Sequence, residues 1–333
     1  MRRMVILLQR ISLKIPTSKA PNQILTEMGA LIHPKLAIHP ILLPQMRFTD
    51  MFGKPNAYLE MNPAMYIEPS GKARILVRCV NYRKFQDKQF TLYEPKSNSK
   101  YILLTGNFSH RHPLNLEDFT ANEIQYSYNS QTYPTYWTGM EDIRFVDEKT
   151  VLATIPELNP TGNPCIFRAE LESTSATLSK IQPCLPNSVP EKNWMPFSTE
   201  SGNPQVIYSL SPFMVKSLDS DDKREITVSP EIQKALAGYH GSTNGIPYGS
   251  EETLFLIHGN REKSYHRWLR FHPVTTKIYI SPEFTFFRDS YIEFPCSLSI
   301  WNHAYYIGLG VNDDKAFIIE TSKYTVQGQS WIQ

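Results

Sequence analysis

The feature that most constrains this chain is a succession of short apolar runs, rich in Val, Ile, Tyr and Phe and bounded by Pro, Gly, Asn and Asp. They fall at residues 74–80, 101–105, 151–155, 165–171, 205–210, 253–258, 265–271, 277–281, 304–309 and 316–321. No long helical pattern separates them, which excludes a βαβ parallel sheet and leaves a sandwich, a barrel or a propeller. Composition agrees, because 18 Tyr and 17 Phe suit pleated surfaces and 25 Pro would interrupt long helices. One helix is expected at 230–237: Ser229 can cap its free amides, Pro230 suits the first turn and Gly238 can end it. A second short helix is expected within 115–125. Neither could form a layer, and no linker divides the chain, so one all-β domain over 1–333 is expected.

The 34 Lys and Arg against 32 Asp and Glu leave a formal charge of +2, far from the basic excess of a phosphate-backbone binder. Nucleic acid is therefore not an expected partner. At the N-terminus, Arg2 and Arg3 precede an apolar run that Gln9 and Arg10 interrupt before a signal-peptide core can form. No stretch approaches the roughly 20 apolar residues of a membrane helix, so a soluble cytoplasmic protein without a membrane span is expected. Cys79, Cys165, Cys184 and Cys296 are widely spaced, with no C-x-x-C pair and no His at zinc-ligand spacing. They read as reduced thiols. Asp219-Ser220-Asp221 fits the D-x-D pattern by which nucleotide-sugar transferases hold a divalent ion, but its Ser/Asp/Lys surroundings read as a solvated loop. Neither a metal nor a cofactor is expected, and no oligomeric state follows from the sequence.

Several polar clusters stand at the ends of these runs. Asn62-Pro63 precedes a strand ending Arg78-Cys79-Val80-Asn81-Tyr82, where alternation puts Arg78 on the face opposite Cys79 and Asn81. Taken alone, Arg78 reads as a surface arginine. In Gly139-Met140-Glu141-Asp142-Ile143-Arg144-Phe145, Asp142 and Arg144 share one side of an extended chain while Ile143 and Phe145 point to apolar packing. The pair is either a structural ion pair or a carboxyl tuned for acid chemistry. Glu191-Lys192-Asn193-Trp194 combines charge, amide and aromatic ring, as a sugar site does, and reads equally as a turn with a core Trp. Gly241-Ser242-Thr243-Asn244 is followed by a strand ending at His258 and then by Tyr265-His266-Arg267, a candidate anion or hydroxyl binder. Gly308-Leu309-Gly310-Val311-Asn312-Asp313 reads as a glycine-rich turn with polar tips.

In this order the clusters resemble the five-bladed β-propellers of glycoside hydrolase family 130, the β-mannoside phosphorylases and hydrolases, and a related group of β-mannosyltransferases. The match runs from about Asn62 to Glu320. Asn62, Pro63 and Arg78 look like the family's first-blade residues, and Glu141, Asp142 and Arg144 like its Glu-Asp-Pro-Arg signature. Lys192-Asn193 resembles its Lys segment, His258 and Tyr265 its His followed by Tyr, and Gly310 with Asp313 its closing turn. The resemblance implies an all-β five-bladed propeller of about 65 residues per blade, with residues 1–60 closing the last blade onto the first. It implies Asp142 as the general acid, passing its proton through a sugar hydroxyl, and a single displacement with inversion. Asn62, Arg78, Asn81, Arg144, Lys192, Asn193 and Asp313 would hold the saccharide. Lys192, His258, Tyr265 and Arg267 would face inorganic phosphate or the diphosphate of a nucleotide sugar.

Two departures bear on the reaction. Ile143 stands where the signature has Pro, and Tyr208-Ser209 stands where the phosphorylases carry His-Arg, which removes a bidentate phosphate ligand. A transferase or a hydrolase therefore gains ground on a phosphorylase. The competing classes are a glycan-binding propeller without a reaction and a protein-interaction platform.

Overall fold

The computed structural model describes residues 36–43, 46–84, 90–108, 114, 116, 118–128, 130–184, 190–199 and 202–333. Most of the expected N-terminal closing segment, residues 1–35, lies outside them. The chain is a five-bladed β-propeller in which each blade is an antiparallel meander. Blade 1 comprises Leu59–Ile67, Lys72–Val80, Ser97–Asn107 and Thr120–Glu123, and blade 2 comprises Glu141–Phe145, Thr150–Thr154, Ile166–Glu172 and Thr177–Pro183. Met195–Ser198, Pro204–Leu210, Phe213–Ser217 and Lys223–Glu225 make blade 3. The inner strand of blade 4 is broken into Tyr239–Gly241 and Ile246–Tyr248, followed outward by Glu252–Asn260, Ser264–Phe271 and Ile278–Ile280. Blade 5 is Glu293–Trp301, Ala304–Val311 and Lys315–Ser322, with Leu36–Pro40 from the start of the chain as its outermost strand.

The seams between blades explain why strand residues are apolar on both faces. Ile143, Phe145 and Val151 of blade 2 bury against Leu76, Tyr101 and Leu103 of blade 1. Phe197, Ile207 and Phe213 meet Phe255, Leu269 and Phe271 between blades 3 and 4, and Tyr306 and Ile318 close the ring against Ile75 and Val77. Each sheet thus has a neighbour on either side, and the aromatic residues fill the wedge that widens outward.

The helix expected at 230–237 forms as Pro230–Leu236, with the Ser229 hydroxyl accepting from the Ile232 amide at 3.3 Å and Gly238 at φ +77°. No helix forms among the described residues of 115–125. Residues 115 and 117 lie outside the described set, and Thr120–Glu123 is an edge strand paired with Ser97–Asn107. Its four side chains are all exposed, so the segment has no apolar stripe to bury as a helix and gains instead by satisfying the sheet edge.

Candidate active site

All five inner strands begin at the same end of the axis, and the polar clusters gather there. Asp142 stands at a kink: the inner strand of blade 2 slips register between Glu141 and Arg144, and Asp142 adopts φ +49°. Such a bulge re-aims side chains, and Asp is among the few residues that tolerate this conformation. Ile143 and Phe145 remain in the seam with blade 1, while Asp142 and Arg144 turn toward the axis.

Asp142 Oδ1 accepts from Asn62 Nδ2 at 2.9 Å and from Arg78 Nη1 at 3.3 Å. Arg78 also donates Nη2 to Glu141 Oε1 at 2.9 Å and Nε to Ser99 Oγ at 2.9 Å, so one buried guanidinium bridges both carboxylates. Lys192 Nζ lies 3.6 Å from Glu141 Oε2. Arg144 donates to the Asp142 carbonyl at 3.0 Å, to Asn193 Oδ1 at 3.4 Å and to the Ser242 carbonyl, and it lies over the Phe294 ring at 5.6 Å. Blades 1 to 5 all contribute to this network. Asp142 Oδ2 takes no hydrogen bond from a described residue, and the side chain keeps 17% of its surface open.

Two glycines make these approaches possible. Because a carboxylate accepts and the Asn62 NH2 donates to it, Asn62 Oδ1 must face the other way, toward Gly310, where a Cβ would stand 1.9 Å from it. That oxygen is buried and has no donor. At Gly241 a Cβ would stand 2.0 Å from the Asn193 carbonyl, so the chain can bring blade 4 against the Lys192-Asn193 turn only with glycine.

Burial works to raise the pKa of Asp142, but Arg78, Arg144, Lys192 and the Asn62 amide outweigh it, and the carboxyl sits below its ordinary value. It is a carboxylate at neutral pH. Burial lowers the pKa of Arg144 against the opposing pull of Asp142. His258 is pushed down to about 3 by burial and by His266, His240 and Arg144, and it bonds Ser242 Oγ through Nδ1 at 2.6 Å.

The structure thus brings Asn62, Arg78, Asp142, Arg144, Lys192 and Asn193 together, and it holds His258, Asn81, Arg267, Tyr265 and Asp313 in contacts of their own. His258 reaches the cluster through Ser242 and the Phe294 ring, 5.0 Å away, but as a neutral imidazole and not as a cation for phosphate. Asn81 uses its amide to fold the 94–98 turn, donating to Glu94 and to the Lys96 carbonyl at 3.2 Å and accepting from the Asn98 amide at 2.6 Å. Arg267 lies on the third strand of blade 4, donating to the Ser281 carbonyl at 2.8 Å and standing 3.7 Å from Glu283. Tyr265, on the same strand, packs against Arg261 at 5.2 Å and Lys263 at 5.8 Å. Neither contacts the Asp142 cluster. Asp313 is at φ +54° on its turn, paired with Lys84 at 3.1 Å.

Sequence reasoning missed Ser99 and Phe294 as partners, since a serine or a ring on an ordinary strand carries no signal of its own, whereas Ser242 stands in a cluster that the sequence singles out. It also missed Glu157, whose carboxylate accepts the Gly139 amide at 2.7 Å and anchors the turn leading into Glu141 and Asp142. Around Asp219-Ser220-Asp221 the cations are the chain's own: Arg168 pairs with Asp219 at 2.9 Å, and Lys216 Nζ reaches the Ser217 and Ser220 carbonyls. Among the described residues no group of His, Cys, Asp and Glu could hold a metal ion. Likewise, no described helix is long and apolar enough to cross a membrane.

Five blades around one axis are a fold similar to that of the solved propellers of glycoside hydrolase family 130. No protein-family model matches the chain, and no curated protein matches it in sequence. Among solved structures, one from the family of mannoside phosphorylases that contains hydrolases targeting β-1,2 mannosidic linkages in Candida mannan aligns with a TM-score of 0.58. Identity there is 14%, over 89% of this chain and 95% of that one. The β-1,2-mannobiose phosphorylase from Listeria innocua, in complex with β-1,2-mannobiose, aligns at 0.54 and 12% identity over 86% and 98%. A glycosyl hydrolase from Bacteroides ovatus gives 0.55 and 11% over 86% and 91%. Likeness at these identities establishes the fold alone, and the chemistry has to be argued from the residues.

Proposed function

We propose that the chain is a carbohydrate-active enzyme that carries out inverting glycosyl transfer on a mannoside or a similar sugar, with Asp142 as the proton-transferring group. The carrying observation is the convergence of Asn62, Arg78, Asp142, Arg144, Lys192 and Asn193, from three blades, around one carboxylate with an open oxygen. A protein-interaction platform requires no such convergence. Oδ1 is pinned by Asn62 and Arg78, so Oδ2 is the atom placed to meet a sugar hydroxyl. In the free protein Asp142 is ionised, whereas an acid needs a proton. A saccharide covering the cluster excludes water and raises the cost of the charge, which favours protonation when substrate is bound. That proton can pass through the sugar hydroxyl to the leaving oxygen while the attacking group displaces it from the opposite face, an attacking water or hydroxyl giving up its own proton to solvent.

The electrostatics favour a neutral attacker, water or a sugar hydroxyl, over inorganic phosphate or a nucleotide diphosphate. Arg78 and Arg144 are committed to protein oxygens, His258 is neutral and Arg267 faces Glu283. Lys192, half exposed, is the cation of the cluster with most freedom to meet an anion. At the position of the phosphorylases' His-Arg pair, the Tyr208 hydroxyl donates to the Glu191 carboxylate, a charge that disfavours a phosphate. A glycan-binding propeller without turnover is the second reading, and the ion pair with Arg78 that helps hold Asp142 ionised supports it.

The test assays wild type and Asp142→Asn with β-mannosides in water, with added phosphate, and with GDP-mannose and sugar acceptors. Turnover that falls at least a hundredfold in Asp142→Asn supports the enzyme. Absence of sugar-dependent turnover by wild type in all three assays sinks it, and saccharide binding without product then supports the binder.

A further inference from the structure

We propose that the opposite mouth of the propeller channel is a second, non-catalytic site for a neutral oligosaccharide. The inner strands finish there, at Ile67, Phe145, Ser198, Tyr248 and Trp301, and their ends enclose a cavity of about 1080 Å³. That is the scale of small-ligand sites, about 300–1,000 Å³. Strand ends from the blades shape it before any ligand arrives.

Its lining has the two kinds of surface a sugar ring needs. Phe145 and Leu298 make an apolar floor, and the Tyr66 ring leans on Phe145 at 5.8 Å and 42°. Val274, 86% exposed, and Ile300, 38% exposed, form an apolar lip. These can take the C–H faces of a pyranose. On the walls from blades 3 and 4, the side chains of Ser198, Gln205 and Thr253 bond to no described protein group. Thr253 is telling because it is 6% exposed. Its methyl packs on Gly245, where a Cβ would stand 2.4 Å from Cγ2, and its hydroxyl opens to the cavity and is not sealed in the core. A hydroxyl open to the cavity can bond water, and a ligand hydroxyl can take that water's place.

Charge narrows the ligand class. Asp147, Asp222, Glu251 and Glu252 line the cavity against Lys223 and Arg224. Lys223 lies over the Tyr208 ring at 3.9 Å, and Arg224 donates to the Pro273 carbonyl at 3.4 Å. Glu252 is taken up by Arg270 at 2.6 Å, and Asp147, Asp222 and Glu251 still outnumber the two lining cations, which disfavours phosphorylated, sulfated or uronic sugars and leaves neutral hydroxyl-rich chains. The site is independent of Asp142, and a mannose oligomer as probe follows from the function proposed above.

The test is calorimetric titration of the full chain with mannotetraose and with cellotetraose, on wild type, Asp142→Asn and the pair Gln205→Ala with Thr253→Val. The expected result is two sites per chain for one of these sugars, one of them weakened about tenfold in the Gln205/Thr253 variant with turnover unchanged. Ser198→Phe, at an exposed rim position, should block the same site by filling it. No site at all, or no site that any of the three far-end substitutions weakens, would overturn the proposal. Should the enzyme reading fail, turnover is absent while the far-end site still titrates, so the two failures are distinguishable.

Discussion

At the end where the inner strands begin, Arg78, Arg144 and Lys192 each meet a carboxylate, a carbonyl or an amide oxygen, and glycine permits contacts that a methyl group would forbid. At the end where they finish, Ser198, Gln205 and Thr253 meet no described protein group, and a wide cavity stands open. The propeller thus carries a densely bonded polar network at one mouth, open at Asp142 Oδ2 and Asn62 Oδ1, and spare hydrogen-bonding capacity at the other. Folding free energy should depend steeply on residues of the first kind and hardly at all on those of the second.

The largest effect is expected at Arg78. Its side chain is buried between Glu141 and Asp142, and Arg78→Met would leave two carboxylates short of their shared cation. A loss of about 3–5 kcal/mol is expected in urea unfolding. Combining it with Glu141→Gln and Asp142→Asn should recover most of that loss, because the unpaired charge and not the missing contact is the cost. A loss below about 1 kcal/mol for Arg78→Met would mean that water reaches the pair and that this mouth is no more closed than the other.

Next is the pH dependence carried by His258. Its folded pKa of about 3 lies below the ordinary 6.5, so between those values the unfolded chain binds a proton that the folded chain refuses. Stability is therefore lost as pH falls from 6.5 toward 3, by up to about 1.4 kcal/mol per pH unit. Asp142 acts lower: its contribution is present above the ordinary 3.8 and is lost as pH falls below it toward the folded value. Urea midpoints from pH 7.5 to 4.5 should show a shallower slope in His258→Gln than in wild type. Equal slopes would return His258 to the solvent.

Gly310→Ala ranks third. The added Cβ would stand 1.9 Å from Asn62 Oδ1 and 2.9 Å from its amide nitrogen, so Asn62 must turn and release Asp142. Roughly 1–3 kcal/mol of stability should go. Turnover should fall further than stability explains, because Oδ1 then loses one of its two anchors. Thermal unfolding and an assay of the same preparation separate the two.

Much of the fold was legible because seam packing makes strand residues apolar on both faces, and runs such as 253–258 announce that without help from tertiary context. Residues 115–125 were misread because an exposed edge strand carries no apolar period of its own. In the site, alternation along an extended chain put Asp142 and Arg144 on one face, but the chain is bulged at Asp142, and Arg144 bonds to it through the backbone carbonyl. The charge state of His258 could not be read, since burial and neighbours from other blades decide it and a strand-end His looks the same either way. Arg267 and Tyr265 follow His258 closely in sequence, yet the hairpin carries them onto the third strand, away from the axis. Asn81 faltered for a local reason: its amide folds the turn beside it.

The smallest effects belong to the far mouth, and there the comparison can be broken most cleanly. Gln205→Ala removes a half-buried amide with no described protein partner, and Thr253→Val replaces a hydroxyl that faces the cavity while keeping the methyl against Gly245. Each should change unfolding free energy by no more than about 0.5 kcal/mol, as substitutions outside a bonded network do. Thr253→Val should lie at the neutral end of that range, since it removes a hydroxyl that no described protein group bonds. A loss above about 1 kcal/mol for either would show that ordered water ties these groups into the blades. The far mouth would then be a second densely bonded network whose partners are solvent, and the contrast between the two ends would vanish.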